Sequence, residues 1–146
     1  MSTMHIVIVA FALLSSACSA NVTGPPQIVV DQTACSHCGM FVSEPIYAAA
    51  YQAEGQAARL FDDIGCMLNA LRGDDRPRNI WVQDAAGGGW IDAGKATFVA
   101  GSSIRTPMSG GVLAYAESAA AGRAAAVHRG EVLSLQELMT SKGEAR

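Results

Sequence analysis

Residues 46–72, IYAAAYQAEGQAARLFDDIGCMLNALR, hold two short apolar runs, a turn and an amphipathic segment in immediate succession. The run Ile46 to Ala53 is ambiguous by composition. Its alanines favour helix, but Pro45 and Glu54-Gly55 bracket it closely and Tyr47 and Tyr51 suit a strand. A second run, Ala57 to Phe61, follows the turn, and the pair reads as a β-hairpin. Asp62 then stands where a helix N-cap is needed, with Asp63 favouring the positive helix end. Ile64, Met67, Leu68 and Leu71 recur at helical spacing, and Gly73 supplies a stop, so a helix is expected over Asp62 to Arg72.

The rest of the chain repeats this mixture. Asn79 to Asp84 alternates as a strand, Gly87-Gly88-Gly89 is a turn, and Trp90 to Asp92 resumes as a strand. Ala96 to Ala100 and Val112 to Ala116 are further strands, separated by a loop from Ser102 to Gly111. Ser118 can cap a helix over Ala119 to His128, which Gly122 weakens by about 1 kcal/mol and Gly130 ends. Ser134 to Met139 reads as a short last helix. Upstream, Ile28-Val29-Val30 is a short strand or extended lead-in. The elements lack the regular alternation of a doubly wound parallel sheet. They indicate an α+β domain over residues 28–142, with a mainly antiparallel sheet, a few short helices and room for two similar strand–strand–helix units. Residues 143–146 form a polar tail.

Composition narrows the function. The chain has 146 residues, half of them apolar, and a net charge of −3 from 10 basic and 13 acidic residues. No basic run or aromatic–basic interleaving is present, which leaves nucleic-acid binding without electrostatic support. His5 to Leu14 is an apolar run too short to span a membrane and suited to a secretory signal over residues 1–17. Ser16-Ala17-Cys18 resembles a bacterial lipobox, so Cys18 is the expected lipidation site, with residues 18–27 as a lipidated tether. Ser19 after the cysteine matches sorting to an outer membrane, with the domain facing the periplasm. A lipidated Cys18 leaves Cys35, Cys38 and Cys66, an odd number that does not describe a disulfide framework.

Chemistry concentrates in Ala34-Cys35-Ser36-His37-Cys38-Gly39-Met40-Phe41-Val42, which offers two thiols, an imidazole and a thioether. A lone Cys-x-x-Cys can be half of a structural zinc site, a redox dithiol or a local disulfide. Zinc needs four closed ligands, and the later candidates Cys66 and His128 stand at no recognised spacing. A thioredoxin-like dithiol needs a helix start, whereas Gly39 and Pro45 follow here. Met40 favours a soft cation, Cu(I), because thiolate and thioether together select one. Met108, in the rigid Thr106-Pro107-Met108-Ser109-Gly110-Gly111 segment, can supply a remote thioether. Cys66 reads as a buried small hydrophobe, and Asp62 and Asp63 as helix-capping groups.

The lipobox-like Ser16-Ala17-Cys18, the Cys35-to-Met40 cluster, Phe61-Asp62-Asp63-Ile64-Gly65 and Thr106-Pro107-Met108, in that order, resemble the NosL family of copper-binding lipoproteins accessory to nitrous oxide reductase. The resemblance implies a protein that binds one Cu(I) and delivers it to a client copper enzyme, nitrous oxide reductase, after receiving it from a copper donor. It implies Cys35 and Met108 as ligands, with Cys38, His37 and Met40 as the other candidates in the motif. Cys66 is outside that expectation. The rival reading is a thiol–disulfide oxidoreductase using Cys35 and Cys38.

Overall fold

The computed structural model describes residues 24–72 and 77–144. The expected signal segment, the expected lipidation site Cys18 and most of the expected tether therefore lie outside the described residues. A single 3₁₀ turn over Pro45–Tyr47 leads into strand β1 (Ala49–Ala53), β2 (Arg59–Phe61) and helix α1 (Ile64–Leu71). Strands β3 (Pro77–Asp84), β4 (Gly89–Asp92), β5 (Thr97–Ala100) and β6 (Val112–Tyr115) follow. Helix α2 (Ser118–His128), β7 (Glu131–Leu133) and helix α3 (Leu135–Glu144) complete the chain.

The strands form one sheet in the order β2-β1-β3-β6-β5-β7, with β4 paired to β3. All pairings are antiparallel except β3 with β6, which meet through Asp84 and Ala114. The α+β class and mainly antiparallel sheet match the sequence reading. The duplicated pattern is visible as well. β1 sits between β2 and β3, β5 sits between β6 and β7, and a helix follows the second strand of each set.

Both faces of this sheet are covered, which explains why β1 resisted assignment. All five of its residues are buried. A strand buried on both faces shows a continuous apolar run, without the alternation that marks a half-exposed strand. Its side chains nevertheless divide by face. Ala49 and Tyr51 join Phe61, Ile64, Met67, Phe98, Val112 and Leu138 under α1 and α3. Ala50 joins Ala48, Leu60 and Val42 in a separate cluster on the opposite face, with Ile28, Trp81 and Trp90 packed against it. Val99, Leu113 and Tyr115 pack under α2 through Ala121.

Several boundaries differ from the sequence reading. Pro45 starts the 3₁₀ turn, closed by Ala48 N–H to the Pro45 carbonyl, and so shortens the first run. Ile28 to Val30 leads into a turn and forms no strand; Val29 carbonyl accepts from the Gln32 and Thr33 amides, with Asp31 at a φ of 58°. Asp63, not Asp62, is the N-cap of α1. Glu117, not Ser118, occupies the N-cap position of α2 and makes no capping hydrogen bond. The last helix runs on to Glu144. β7 escaped the sequence reading because three residues after a glycine carry no period; its identity comes from pairing with β5. Among the described residues, no helix is long and apolar enough to cross a membrane.

Candidate metal centre

The Cys-x-x-Cys segment folds as a tight hairpin lying against β2. Ala34 and Phe41 form an antiparallel bridge, and Cys35 N–H donates to the Met40 carbonyl at 2.8 Å. Gly39 N–H closes the turn onto the Cys35 carbonyl at 3.0 Å. That turn holds Gly39 at a φ of 78°, in the left-handed region that a glycine enters without strain. Ser36 N–H donates to the Leu60 carbonyl at 2.7 Å, anchoring the hairpin beside Phe61 and Asp62. Both cysteines thereby face the start of α1.

Four ligand atoms converge there. The thiols of Cys35, Cys38 and Cys66 and a carboxylate oxygen of Asp62 all lie within 4.8 Å of one another. Cys35, Cys66 and Asp62 are buried, and Cys38 is half-buried. The three cysteines are free thiols. Cys38 Sγ donates to Asp62 Oδ2 at 3.5 Å. Burial pushes the Cys38 thiol up, helped by the adjacent Cys35 and Asp62 and opposed by the Met40 backbone N–H. Burial and a hydrogen bond to Asp62 push the Cys66 thiol up strongly. Both shifts keep the Cys38 and Cys66 thiols protonated beside Asp62.

Donors bound about 2.3 Å from one ion lie no more than about 4.6 Å apart. The observed spread thus fits a single metal ion after shifts of a few tenths of an ångström. The cluster opens into a cleft of about 340 Å³ lined in part by His37, Cys38, Cys66, Arg72 and Met108. Met108 is 40 % exposed, on the side of the cleft formed by the Thr106-to-Gly111 loop.

The structure therefore brings Cys35 and Cys38 together in the cluster, while His37 and Met108 line the cleft beside it and His37 does not join the cluster. It does not bring Met40 into the cleft: that side chain is 54 % exposed, and its backbone closes the hairpin. Two residues of the cluster were read differently from sequence. Cys66 is buried as expected of a small hydrophobe, but its thiol joins the other two. Asp62 leaves capping to its neighbour and turns its carboxylate to the thiols, while Oδ1 accepts from Asp63 N–H at 3.0 Å. A third thiol just inside a helix that starts with two aspartates was the available signal. The approach of that helix end to the hairpin was not visible in it.

Fold and site together define a small α+β domain with a sulfur-rich cluster, at the base of an open cleft, able to hold a metal ion. The sequence pattern of the NosL family matches residues 26–142, and the chain belongs to that family. Among solved structures it is similar to the crystal structure of the copper chaperone NosL from Shewanella denitrificans, with a TM-score of 0.67 and 17 % sequence identity. The match covers 77 % of this chain and 94 % of that one, and at such identity the likeness speaks for the fold. No curated protein matches the chain.

Proposed function

We propose that this protein is a metallochaperone that carries Cu(I), not an enzyme. The observation that carries this reading is the convergence of three thiol sulfurs with a thioether at the rim of the same open cleft. Thiolate and thioether donors together favour a soft cation, and Cu(I) is the softest of the common ones. Cys35, Cys38 and Cys66 hold the ion, Met108 approaches from the rim, and the bound cation replaces the departing thiol protons as the electrostatic partner of Asp62. The exposed His37 stands where an ion would enter or leave. A site open on one side allows ligand exchange with a partner, as delivery requires.

The family points to the client: a copper enzyme, nitrous oxide reductase, loaded outside the cytoplasm by a chaperone held to the membrane through a lipid on Cys18. A copper donor would fill the chaperone beforehand. The oxidoreductase reading has less support. A reactive dithiol sits at a helix N-terminus with a lowered thiol pKa. Here the Cys-x-x-Cys lies in a hairpin and the Cys38 thiol is raised.

An anaerobic competition titration of the reduced protein with a chromophoric Cu(I) chelator tests the proposal. One equivalent should bind, in preference to Zn(II). Cys35→Ser combined with Met108→Ala should weaken Cu(I) binding on the order of a hundredfold, the range expected when site groups are removed. Preference for Zn(II), or unchanged affinity in that variant, would overturn the reading. Turnover of a disulfide substrate without copper binding would favour the oxidoreductase.

A further inference from the structure

Asp63 is completely buried beside the thiol cluster but contributes no atom to it. Its Oδ1 accepts from Cys66 N–H at 2.7 Å, which caps α1. Capping needs one acceptor oxygen, and Ser, Thr or Asn would serve equally well. The second oxygen does something else. Oδ2 accepts from Thr106 Oγ1 at 2.7 Å, from Met108 N–H at 3.1 Å and from Gly110 N–H at 3.2 Å. Thr106 Oγ1 in turn accepts from Gly111 N–H at 3.2 Å. One carboxylate therefore joins the helix end that carries Cys66 to the loop that carries Met108.

The two backbones meet directly around it. A Cβ at Gly65 would lie 2.7 Å from the Gly110 Cα, and one at Gly110 would lie 2.9 Å from the Gly65 Cα. Neither position has room for a side chain. The loop contains no strand or helix of its own, and Met108 is partly exposed. The three donors converging on one oxygen need an acceptor-only group. An asparagine in the same rotamer would either lose the cap or turn an NH₂ toward three other donors.

We infer that Asp63 is a positioning residue for the metal site: through Thr106 and the Met108 and Gly110 amides it sets where the Met108 thioether stands relative to the thiols. This inference rests on the proposed copper reading. Asp63 touches no ion. It acts by fixing the backbone of a remote ligand, as residues that orient metal ligands commonly do.

The test is a double-mutant cycle between Asp63→Asn and Met108→Ala, read by Cu(I) competition titration and by X-ray absorption of the Cu(I)-loaded proteins. Met108→Ala should weaken binding about tenfold and remove one sulfur neighbour. Asp63→Asn should do the same while the thiol ligands persist. The double variant should bind no more weakly than Met108→Ala alone. Thr106→Val should reproduce the effect in part and Thr106→Ser should restore it. If Asp63→Asn does not fold, Thr106→Val carries the cycle in its place. Equal losses from Asp63→Asn with and without Met108 would overturn the inference, as would an unchanged sulfur count in the folded variant. Wild-type protein that binds Cu(I) but is indifferent to Met108→Ala would overturn it and leave the copper reading standing. Wild-type protein that binds no Cu(I) would instead refute the copper reading itself.

Discussion

The thiols govern how the site responds to pH. Burial raises both Cys38 and Cys66 above the ordinary value of 9.0. A group raised in the folded state stabilises the fold fully below its unfolded value, and that contribution is lost as pH climbs toward the folded value. The metal-free protein should therefore lose stability above about pH 9, measurable as a falling urea midpoint. Cu(I) must displace the same protons, so its affinity should rise with pH, about tenfold per unit for each proton released. Competition titrations across the neutral range check the slope; a flat profile would mean the thiols bind without ionising. At this scale the sequence was legible in part. Cys35 and Cys38, singled out by type, stand in the thiol cluster, and Met108 lines the cleft beside it. Cys66 and Asp62 were given structural roles because a residue's identity does not say what its side chain meets.

At the scale of elements, small groups decide which segments touch. Gly65→Ala should raise the helix propensity of α1 by up to about 1 kcal/mol. It would also drive a methyl into the Gly110 backbone, 2.7 Å away, and overpacking of that kind costs about 1–3 kcal/mol. Net destabilisation is expected, together with weaker Cu(I) binding, as the loop is displaced; urea unfolding and titration report the two effects separately. The last helix offers a contrast, since none of its described residues lines the cleft. Ser134 N–H and Oγ both donate to Glu137 Oε2 at 2.7 Å, and Glu137 N–H donates to Ser134 Oγ at 3.3 Å. This is a reciprocal capping box, and its two donors hold the Glu137 carboxyl below the usual range. Ser134→Ala should destabilise the protein by about 1 kcal/mol without changing Cu(I) affinity. The stability that Glu137 contributes should be present above its ordinary value and disappear as pH falls through its lowered one.

For the whole molecule, the site is assembled from separated parts of the chain. The hairpin supplies Cys35 and Cys38 and α1 supplies Cys66, while the loop before β6 places Met108 on the wall of the cleft. The unfolded chain holds no such arrangement, so Cu(I) should stabilise the native state by linkage. At a free concentration a thousand times the Kd the gain is about 4 kcal/mol, a rise in Tm on the order of 10 °C. Thermal unfolding with and without Cu(I) checks this, and an unchanged Tm would argue against a site formed by folding. The sheet provides the rigid frame. β2, with α1 immediately after it, is on one side of β1, and β3 on the other leads by its parallel contact to β6, which the Met108 loop enters.

Local pattern in the chain determined the class of fold, the helices, most strands, and a Cys-x-x-Cys segment of soft-metal character. Those follow from near neighbours: helical spacing around Met67, glycine at turns, two cysteines separated by two residues. Tertiary structure alone decided that Cys66 joins Cys35 and Cys38, that Asp62 faces the thiols while Asp63 caps and ties the loop, that β7 is a strand, and that Met40 stays outside the cleft. Each depends on which distant backbone lies alongside. That is set by packing across the sheet and by the contact of Gly65 with Gly110, and no local period encodes it.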